Sequence, residues 1–404
     1  MIRSFPPCAL EQAEPVAPTR RMRKETKLLH YGRSSLPGPA NPPVERASTI
    51  LHDTVESYDD TKERRETDDS VLSYGRRGTT TAHALMQAIN DMEGGEGCWL
   101  FPTGVAAIAT TLQALLHSGD HLLLADNVFH ATRSACDKLL RPNGVAIDTF
   151  PWNATDLSGW LRPETKAVFV ESPGSDTLEV ADLPALCQSA REHGALVIAD
   201  NTYGSGWLYR PLELGCDVSI IAGTKYLSGH ADVMMGAATA VGAAIKPLRD
   251  AVLAAGQTLS PDEAYLTLRG MRTLHLRLAR HAESALEIAR WFTGREGVLG
   301  VMHPALSDHP GHAVWQRDGA GTNGLLSVVF ADDVDVRKFQ NALRLFAVGS
   351  SWGGFESLSK SFTLREDLCQ QFGKGQRDAL RLHVGLEHVD DLLEDLEHAF
   401  AQLG

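Results

Sequence analysis

Residues 218–241, VSIIAGTKYLSGHADVMMGAATAV, decide how this chain folds and where we expect its chemistry. The apolar run VSIIAG, typical of a buried strand, leads directly into Thr224 and Lys225, and a second apolar run begins at Val233. Because burying an unpaired ammonium is costly, such a lysine tends to lose its proton, and a neutral amine attacks aldehydes. Taken alone, a strand-end lysine that reaches out to water fits the same pattern. With the rest of the chain, it predicts a lysine that forms a Schiff base.

The composition is that of an ordinary globular protein, with 43% hydrophobic and 22% charged residues. At 404 residues the chain exceeds the roughly 250–300 residues at which single cores stop growing, so we expect two domains. A formal charge of −13 argues against nucleic acid or an anionic membrane as a partner. No apolar run approaches the ~20 residues of a membrane-spanning helix. Six scattered cysteines without a CxxC pair favour reduced thiols in the cytoplasm.

The first 75 residues show little hydrophobic periodicity, and the segment SSLPGPANPP (34–43) is turn-rich or extended. We interpret residues 1–75 as an arm that lies on a neighbouring surface. At its end, SYGRRGTTT places Tyr74 and Arg76 together before a helical run. Guanidinium groups match phosphate oxygens, so this motif suits phosphate binding. A solvated basic loop is equally consistent with these residues alone.

From residue 98 onward, apolar strands alternate with helices. The predicted strands are CWLF (98–101), HLLLAD (121–126), KAVFVES (166–172) and ALVIAD (195–200), and the helices include AAIATTLQALL (106–116) and ADLPALCQSAREHG (181–194). Continuous apolar strands alternating with helices indicate a parallel sheet covered on both faces. Ligands of such sheets bind beyond the carboxyl ends of the strands.

Two motifs lie at that edge of the predicted sheet. Thr103, Gly104 and Val105 open a helix after a strand, where free backbone N–H groups and the helix dipole suit a phosphate, although any capped helix after a strand looks similar. Asp200 closes a strand, where a carboxylate commonly caps the next turn. It could instead pair with a protonated pyridine nitrogen. No dinucleotide fingerprint, nucleotide-binding P-loop or zinc-protease motif is present, and we expect no metal site.

Beyond residue 270 the pattern changes to long amphipathic helices, such as residues 275–292, and a shorter sheet. GLLSVVF (324–330), LRLFAVG (343–349) and RLHVGLE (381–387) are its predicted strands, and SSWGGFESL (350–358) is a predicted turn with an exposed Trp352. Arg381 could hold a substrate carboxylate through two hydrogen bonds. A surface ion pair is an equally good interpretation of Arg381.

Seven motifs together resemble the pyridoxal-phosphate enzymes of cysteine and methionine metabolism, most closely the bacterial cystathionine β-lyase branch. They are YGRRGT, LFPTG, VFVESPGS, ADNT, GTKYLSGHAD, SWGGFESL and RLHVGLE, in the family's order from about residue 46 to the C-terminus. The resemblance implies an α/β protein of the aspartate-aminotransferase-like fold type I. Its large domain would carry a seven-stranded mixed, mostly parallel sheet, beside a smaller α+β C-terminal domain. We place the arm at 1–75, the large domain at 76–270 and the C-terminal domain at 271–404.

The resemblance also implies roles for individual residues. Lys225 would bind pyridoxal 5′-phosphate covalently and, with Tyr74, act in catalysis. The other cofactor-binding residues would be Asp200 at the pyridine nitrogen, Phe129 stacked on the ring, Gly104, Val105 and Thr224 at the phosphate, and Tyr74 and Arg76 from a neighbouring subunit. The substrate would be an amino acid held by Arg381, Ser351 and Trp352. The chain would form a homo-oligomer, a tetramer built from dimers with shared active sites.

Two positions depart from the family pattern. Ala222 stands where many relatives have a serine or threonine hydroxyl, and Phe129 stands where the family has a tyrosine that stacks on the cofactor and assists proton transfer. Phenylalanine keeps the stacking surface but has no ionisable hydroxyl. We therefore expect a carbon–sulfur β-lyase acting on L-cystathionine or a cysteine S-conjugate. The alternatives are γ-elimination or γ-replacement chemistry, or a protein that binds the cofactor without turnover.

Overall fold

The computed structural model describes residues 22–33, 38–364 and 377–403. Residues 34–37 of the predicted turn-rich stretch, Cys8 and Cys369 lie outside these ranges. The other four cysteines are buried free thiols. Among the described residues, no helix combines the length and the apolar composition needed to cross a membrane.

The described residues form the following helices and strands in chain order. They are α1 (Lys24–Leu28), α2 (Val55–Arg64), α3 (Thr80–Glu93), β1 (Gly97–Phe101), α4 (Gly104–Leu115), β2 (His121–Ala125), α5 (His130–Ala135), β3 (Ala146–Phe150), β4 (Thr165–Glu171), α6 (Leu183–His193), β5 (Leu196–Asp200), β6 (Val218–Ile221), β7 (Gly236–Ala240), α7 (Ile245–Ala255), α8 (Pro261–Met271), α9 (Leu274–Phe292), β8 (Val298–Met302), α10 (His312–Asp318), β9 (Leu325–Phe330), α11 (Val336–Ala342), β10 (Ala347–Val348), β11 (Leu358–Thr363), β12 (Asp378–His383) and α12 (Val389–Ala401).

The larger sheet has seven strands in the order β1-β7-β6-β5-β4-β2-β3. β7 runs opposite to the other six strands, which are parallel to one another, so the predicted mixed, mostly parallel sheet is confirmed. Strands β2 and β7 are buried along their whole length, as expected when helices cover both faces. The edge strand β3 was not predicted, because exposed residues interrupt its apolar run.

The smaller sheet has five strands in the order β10-β11-β12-β9-β8. The prediction of a strand over LRLFAVG is wrong for most of its length, since β10 covers only Ala347 and Val348. The buried Asp395 carboxylate on α12 accepts hydrogen bonds from the backbone N–H groups of Arg344 (2.9 Å) and Leu345 (2.9 Å). Those N–H groups are therefore unavailable to a neighbouring strand.

The turn after β6 that carries Lys225 is held on several sides. The Thr224 hydroxyl accepts a hydrogen bond from the Met235 N–H (2.9 Å) and donates to the Met235 carbonyl oxygen (3.1 Å), which ties the turn to the start of β7. The buried Arg277 on α9 donates to the carbonyl oxygens of Tyr226 (2.8 Å) and Gly270 (2.9 Å). Lys225 thus stands on a backbone fixed by the large sheet and by α9.

The arm presents apolar side chains to solvent. Helix α2 has no buried residue, and Leu51 and Val55 are 88% and 69% exposed. Exposed apolar surface of this kind commonly marks a contact surface. The domain boundaries after residues 75 and 270 stay predictions, although the two sheets do have separate buried clusters.

Candidate active site

Lys225 and the turn of residues 350–357 face each other at the carboxyl edge of the large sheet. The Nζ atom of Lys225 donates a hydrogen bond to Ser351 Oγ (2.8 Å) and lies 5.5 Å from the ring centroid of Trp352. Trp352 is 9% exposed and packs against the Tyr226 ring, so the prediction that it is exposed is wrong. The turn buries its tryptophan because its backbone lies directly on that of Lys225: a Cβ atom on Gly353 would sit 2.8 Å from the Lys225 carbonyl carbon.

The pKa of Lys225 is lowered to about 8, mainly by burial and also by the positive charge of Arg381, while the Asp200 carboxylate acts in the opposite direction. Burial disfavours the charged form of an amine because the surroundings solvate the ammonium poorly. A substantial fraction of this amine is therefore neutral at mildly alkaline pH. The predicted reactive lysine has the electrostatic setting that its chemistry needs.

Asp200 ends β5 and is 6% exposed. The backbone N–H (3.0 Å) and the hydroxyl (2.6 Å) of Thr202 both donate to Oδ1 of Asp200. Burial raises the pKa of Asp200, whereas the Thr202 bonds and the Lys225 charge favour its ionised form. No other described residue donates to this carboxylate, so Oδ2 is available for a cationic or N–H group of a ligand.

Glu171 ends the neighbouring strand and pairs with Asp200 across β4 and β5. Burial and the nearby Asp200 charge raise the pKa of Glu171 well above its usual value. Glu171 is therefore the more readily protonated member of the pair, and Asp200 the more acidic one. Glu171 Oε2 also accepts a hydrogen bond from the Phe129 N–H (2.6 Å), which fixes the start of α5. Sequence reasoning missed Glu171, although a carboxylate closing an apolar strand was the signal that identified Asp200.

The predicted phosphate-binding site at the start of α4 lies beside the turn that carries Lys225. Thr103 caps α4 by accepting the Ala106 N–H (3.0 Å), and Gly104 packs so closely that an added Cβ would lie 2.6 Å from the Cβ of Ala222. The N–H groups of Gly104 and Val105 have no acceptor among the described residues, as expected for a helix start. The donor hydrogen of Thr224 is committed to Met235, so this hydroxyl would give up that bond to donate to a phosphate.

Arg381 is a buried guanidinium and not a member of a surface ion pair. Its side chain is 4% exposed and donates to Asp176 Oδ1 (2.9 Å) and to the Ser350 carbonyl oxygen (3.2 Å). Asp176 also binds Lys360 (2.9 Å). A bound carboxylate would share Arg381 with Asp176. Sequence reasoning missed Asp176, which follows β4 at the same sheet edge.

Within one chain, Tyr74 and Arg76 do not contribute to the group formed by Lys225, Asp200 and Arg381. Tyr74 is 45% exposed, and its backbone pairs with Thr49 of the arm. Arg76 donates to the Leu253 carbonyl oxygen (2.7 Å) at the end of α7. In the described part of the chain, neither side chain has a hydrogen bond or ion pair with Lys225, Asp200 or Arg381.

The residues that are present fit pyridoxal phosphate. A partly neutral lysine suits its aldehyde, a buried carboxylate with one unbonded oxygen suits its pyridine nitrogen, and unpaired N–H groups at a helix start suit its phosphate. These three features of Lys225, Asp200 and Gly104–Val105 converge on one sheet edge. Phe129 immediately precedes α5, with its ring 4.3 Å from that of His130, and its N–H is bonded to Glu171 at the same edge.

Comparison with known proteins gives concordant findings. The family described as Cys/Met metabolism PLP-dependent enzyme matches residues 25–401. A cystathionine β-lyase of Bordetella avium is 41% identical over 93% of this chain and 96% of its own length. A cystathionine β-lyase of Salmonella typhimurium is 40% identical over 94% and 98%. The solved cystathionine γ-synthase of Xanthomonas oryzae pv. oryzae, in complex with aminoacrylate and cysteine, is 31% identical with a TM-score of 0.84, covering 95% of this chain and 98% of its own.

Two substitutions should move the pKa of Lys225 in opposite directions. Arg381→Met removes a nearby positive charge and should raise this pKa, whereas Asp200→Asn removes a stabilising negative charge and should lower it. The pH dependence of acetic anhydride labelling at Lys225, read by mass spectrometry on the cofactor-free chain, measures the change. Exposed Lys246 on α7 is the internal control and should label alike in all three proteins. Shifts in the same direction for both variants would contradict this electrostatic account.

Proposed function

This chain belongs to the pyridoxal-phosphate-dependent enzymes of Cys/Met metabolism, and on that premise we propose that it is a carbon–sulfur β-lyase. Its substrate would be L-cystathionine or a related cysteine S-conjugate, and its products pyruvate, ammonia and a thiol. The observation that carries the proposal is the position of the Lys225 amine. It is hydrogen-bonded to Ser351 and lies within the electrostatic influence of both Asp200 and Arg381.

We assign cofactor binding to the residues that converge on the sheet edge. Lys225 would bind the aldehyde carbon and Asp200 the pyridine nitrogen. The N–H groups of Gly104 and Val105 would bind the phosphate. Thr224 is a weaker phosphate ligand in this assignment, because its hydroxyl hydrogen is bound to the Met235 carbonyl oxygen.

The cofactor, when bound, supplies an electron-withdrawing ring that stabilises negative charge at the substrate Cα. The chain's own residues perform the proton transfers. Nζ of Lys225, in its neutral form, takes the Cα proton; the Cβ–S bond then breaks and its electron pair leaves with the sulfur. General base catalysis favours a pKa near the working pH, and a value of about 8 meets that requirement.

Substrate orientation is assigned to Arg381, Ser351 and Trp352. The Arg381 guanidinium would bind the α-carboxylate, with Asp176 holding it from the other side. Ser351 and Trp352 stand against Lys225, so the turn that carries them borders the space where Cα would lie. Asp200 would be the ionised member of its pair with Glu171, because the Asp200 charge raises the pKa of Glu171 while Thr202 and Lys225 favour ionised Asp200.

Pyruvate release from L-cystathionine tests the proposal. The cofactor-loaded wild type should produce pyruvate, and Lys225→Ala should lose at least about 1,000-fold in kcat because it lacks the base and the covalent attachment. Keto acids identified by chromatography give the answer. If only 2-oxobutyrate forms, the proposal of β-elimination is wrong and the enzyme catalyses γ-elimination. A wild type that binds the cofactor and yields no keto acid would identify a protein without turnover.

The second candidate function is γ-elimination or γ-replacement, and Phe129 is the observation that favours it. The residue lacks the ionisable hydroxyl of the family tyrosine, and one structural relative is a γ-synthase. Proton transfer at this position therefore depends on Lys225 or on Tyr74 from another subunit.

Phe129→Tyr should raise the rate of β-elimination several-fold, because it adds a hydroxyl that can donate and accept protons. A fully positioned general acid or base contributes about 10²–10⁴-fold. The measurement is kcat/KM for pyruvate formation across pH. Phe129→Leu is the matched control: it removes the ring and should lower the rate. An unchanged or lower rate in Phe129→Tyr would show that the missing phenol does not limit the reaction.

We also propose that the enzyme is a homo-oligomer in which two chains share each active site. Tyr74 and Arg76 lie apart from Lys225 in their own chain, and the arm before them exposes Leu51 and Val55. A second copy that covers the arm would account for both features, and a closed dimer would place each arm against the other chain.

Mixed oligomers test the shared site. Lys225→Ala and Arg76→Ala should each be nearly inactive alone, while their co-expressed mixture should recover roughly a quarter of wild-type activity, since half the dimers are mixed and each holds one intact site. Lys225→Ala mixed with Arg381→Met is the control, because both residues come from one chain and no intact site forms. Equal activity of the two mixtures would refute sharing.

A further inference from the structure

His383 is buried beneath the turn that faces Lys225. It lies on β12, two residues after Arg381, and is 1% exposed. Its Nε2 accepts a hydrogen bond from the Gly353 N–H (3.0 Å), and its Nδ1 lies 3.0 Å from the Glu356 carbonyl oxygen. A carbonyl oxygen can only accept, so Nδ1 carries the hydrogen and Nε2 does not. The ring is therefore a neutral imidazole in one defined tautomer.

These two bonds fasten the middle of the turn of residues 350–357. Ser357, at its far end, is bound separately by Glu387 (2.9 Å to both N–H and hydroxyl). The backbone of Gly353 lies against the backbone of Lys225 and Tyr226, where an added Cβ would approach to 2.8 Å. Ser351 and Trp352 immediately precede Gly353. A shift of Gly353 would therefore move both side chains away from the amine.

The surroundings of His383 keep it uncharged. Burial lowers the pKa of His383 well below its usual value, and the charges of Arg381 and Lys225 act in the same direction, as does His281, whose ring lies 5.2 Å away. A proton on Nε2 would point at the Gly353 N–H and break that bond. Only the neutral ring can accept from the Gly353 N–H at Nε2 and donate to the Glu356 carbonyl oxygen from Nδ1.

We propose that His383 is a positioning residue of the active site. Its neutral ring holds the turn of residues 350–357 so that Ser351 and Trp352 stay against Lys225, which limits the access of water to the amine and shapes the space for the substrate side chain. The part that concerns the substrate rests on the proposed β-lyase function. The part that concerns Lys225 rests on the contacts alone.

His281 is the matched control for this role. It is as buried as His383, packs against the same Tyr226 ring, and bonds through Nδ1 to the Val384 carbonyl oxygen (2.8 Å). That bond joins α9 to the segment after β12 and does not involve the turn. His281→Leu and His383→Leu therefore remove similar rings from one cluster, but only the second releases the turn.

Two measurements on the full chain test the proposal. With the cofactor removed, the labelling pKa of Lys225 should rise from about 8 toward 10.5 in His383→Leu and stay unchanged in His281→Leu. With the cofactor bound, kcat/KM should fall about 100-fold in His383→Leu, the loss typical of reacting groups displaced by about 1 Å. In His281→Leu, kcat/KM should stay close to that of the wild type.

His383→Gln keeps the proposal testable if the leucine variant does not fold. A glutamine oxygen can replace Nε2 as acceptor for Gly353 but loses the bond to Glu356, so about a tenfold loss of kcat/KM and a smaller pKa rise are expected. An unchanged Lys225 pKa together with wild-type kinetics in His383→Gln and His383→Leu would overturn the proposal. If the wild type itself produces no keto acid, the β-lyase function fails, while the Lys225 labelling still decides whether His383 positions the turn.

Discussion

The burial of one amine is the constraint on which the site depends. Lys225 stands on a turn tied to Met235 and Arg277 and is covered by a second turn whose backbone touches its own. Removing the amine from water lowers its pKa, and Arg381 adds to the effect. The Asp200 charge acts in the opposite direction and raises this pKa. A lysine in open solvent would remain protonated near neutral pH and could act neither as nucleophile nor as base.

Two buried carboxyl groups, Glu171 and Asp200, lie side by side on neighbouring strands of the site. Glu171 and Asp200 face each other in register, and two such groups do not both ionise when they are buried together. Thr202 donates two hydrogen bonds to Asp200, and the Lys225 charge also favours the ionised form of Asp200. The Asp200 charge raises the pKa of Glu171, so Asp200 is the more acidic member of the pair. The same arrangement connects the electrostatics of the site to the position of the Phe129 ring.

Much of this architecture follows from local sequence patterns. Continuous apolar runs predicted β1, β2, β4, β5 and β6, and a threonine before an apolar helix predicted the start of α4. Lys225 and Asp200 were identified because each is a charge at the end of such a run. Glu171, Asp176 and His383 were not identified, since their importance arises from cross-strand register and from contacts far apart in the chain. The two-residue β10 and the buried Trp352 escaped prediction for the same reason: Asp395 and Lys225, distant in sequence, decide those segments.

The site combines residues from both sheets. Asp200 ends β5 of the large sheet, and α4 starts just after β1 of the same sheet. Arg381 and the turn of residues 350–357 come from the smaller sheet, and they reach the large sheet through Asp176 and the Lys225 backbone. The groups that we propose to bind the cofactor therefore stand at the ends of buried, paired strands or directly after them. The turn of residues 350–357 contacts His383 on one side and Lys225 on the other, so the proposed substrate contacts and the burial of the amine depend on the same segment.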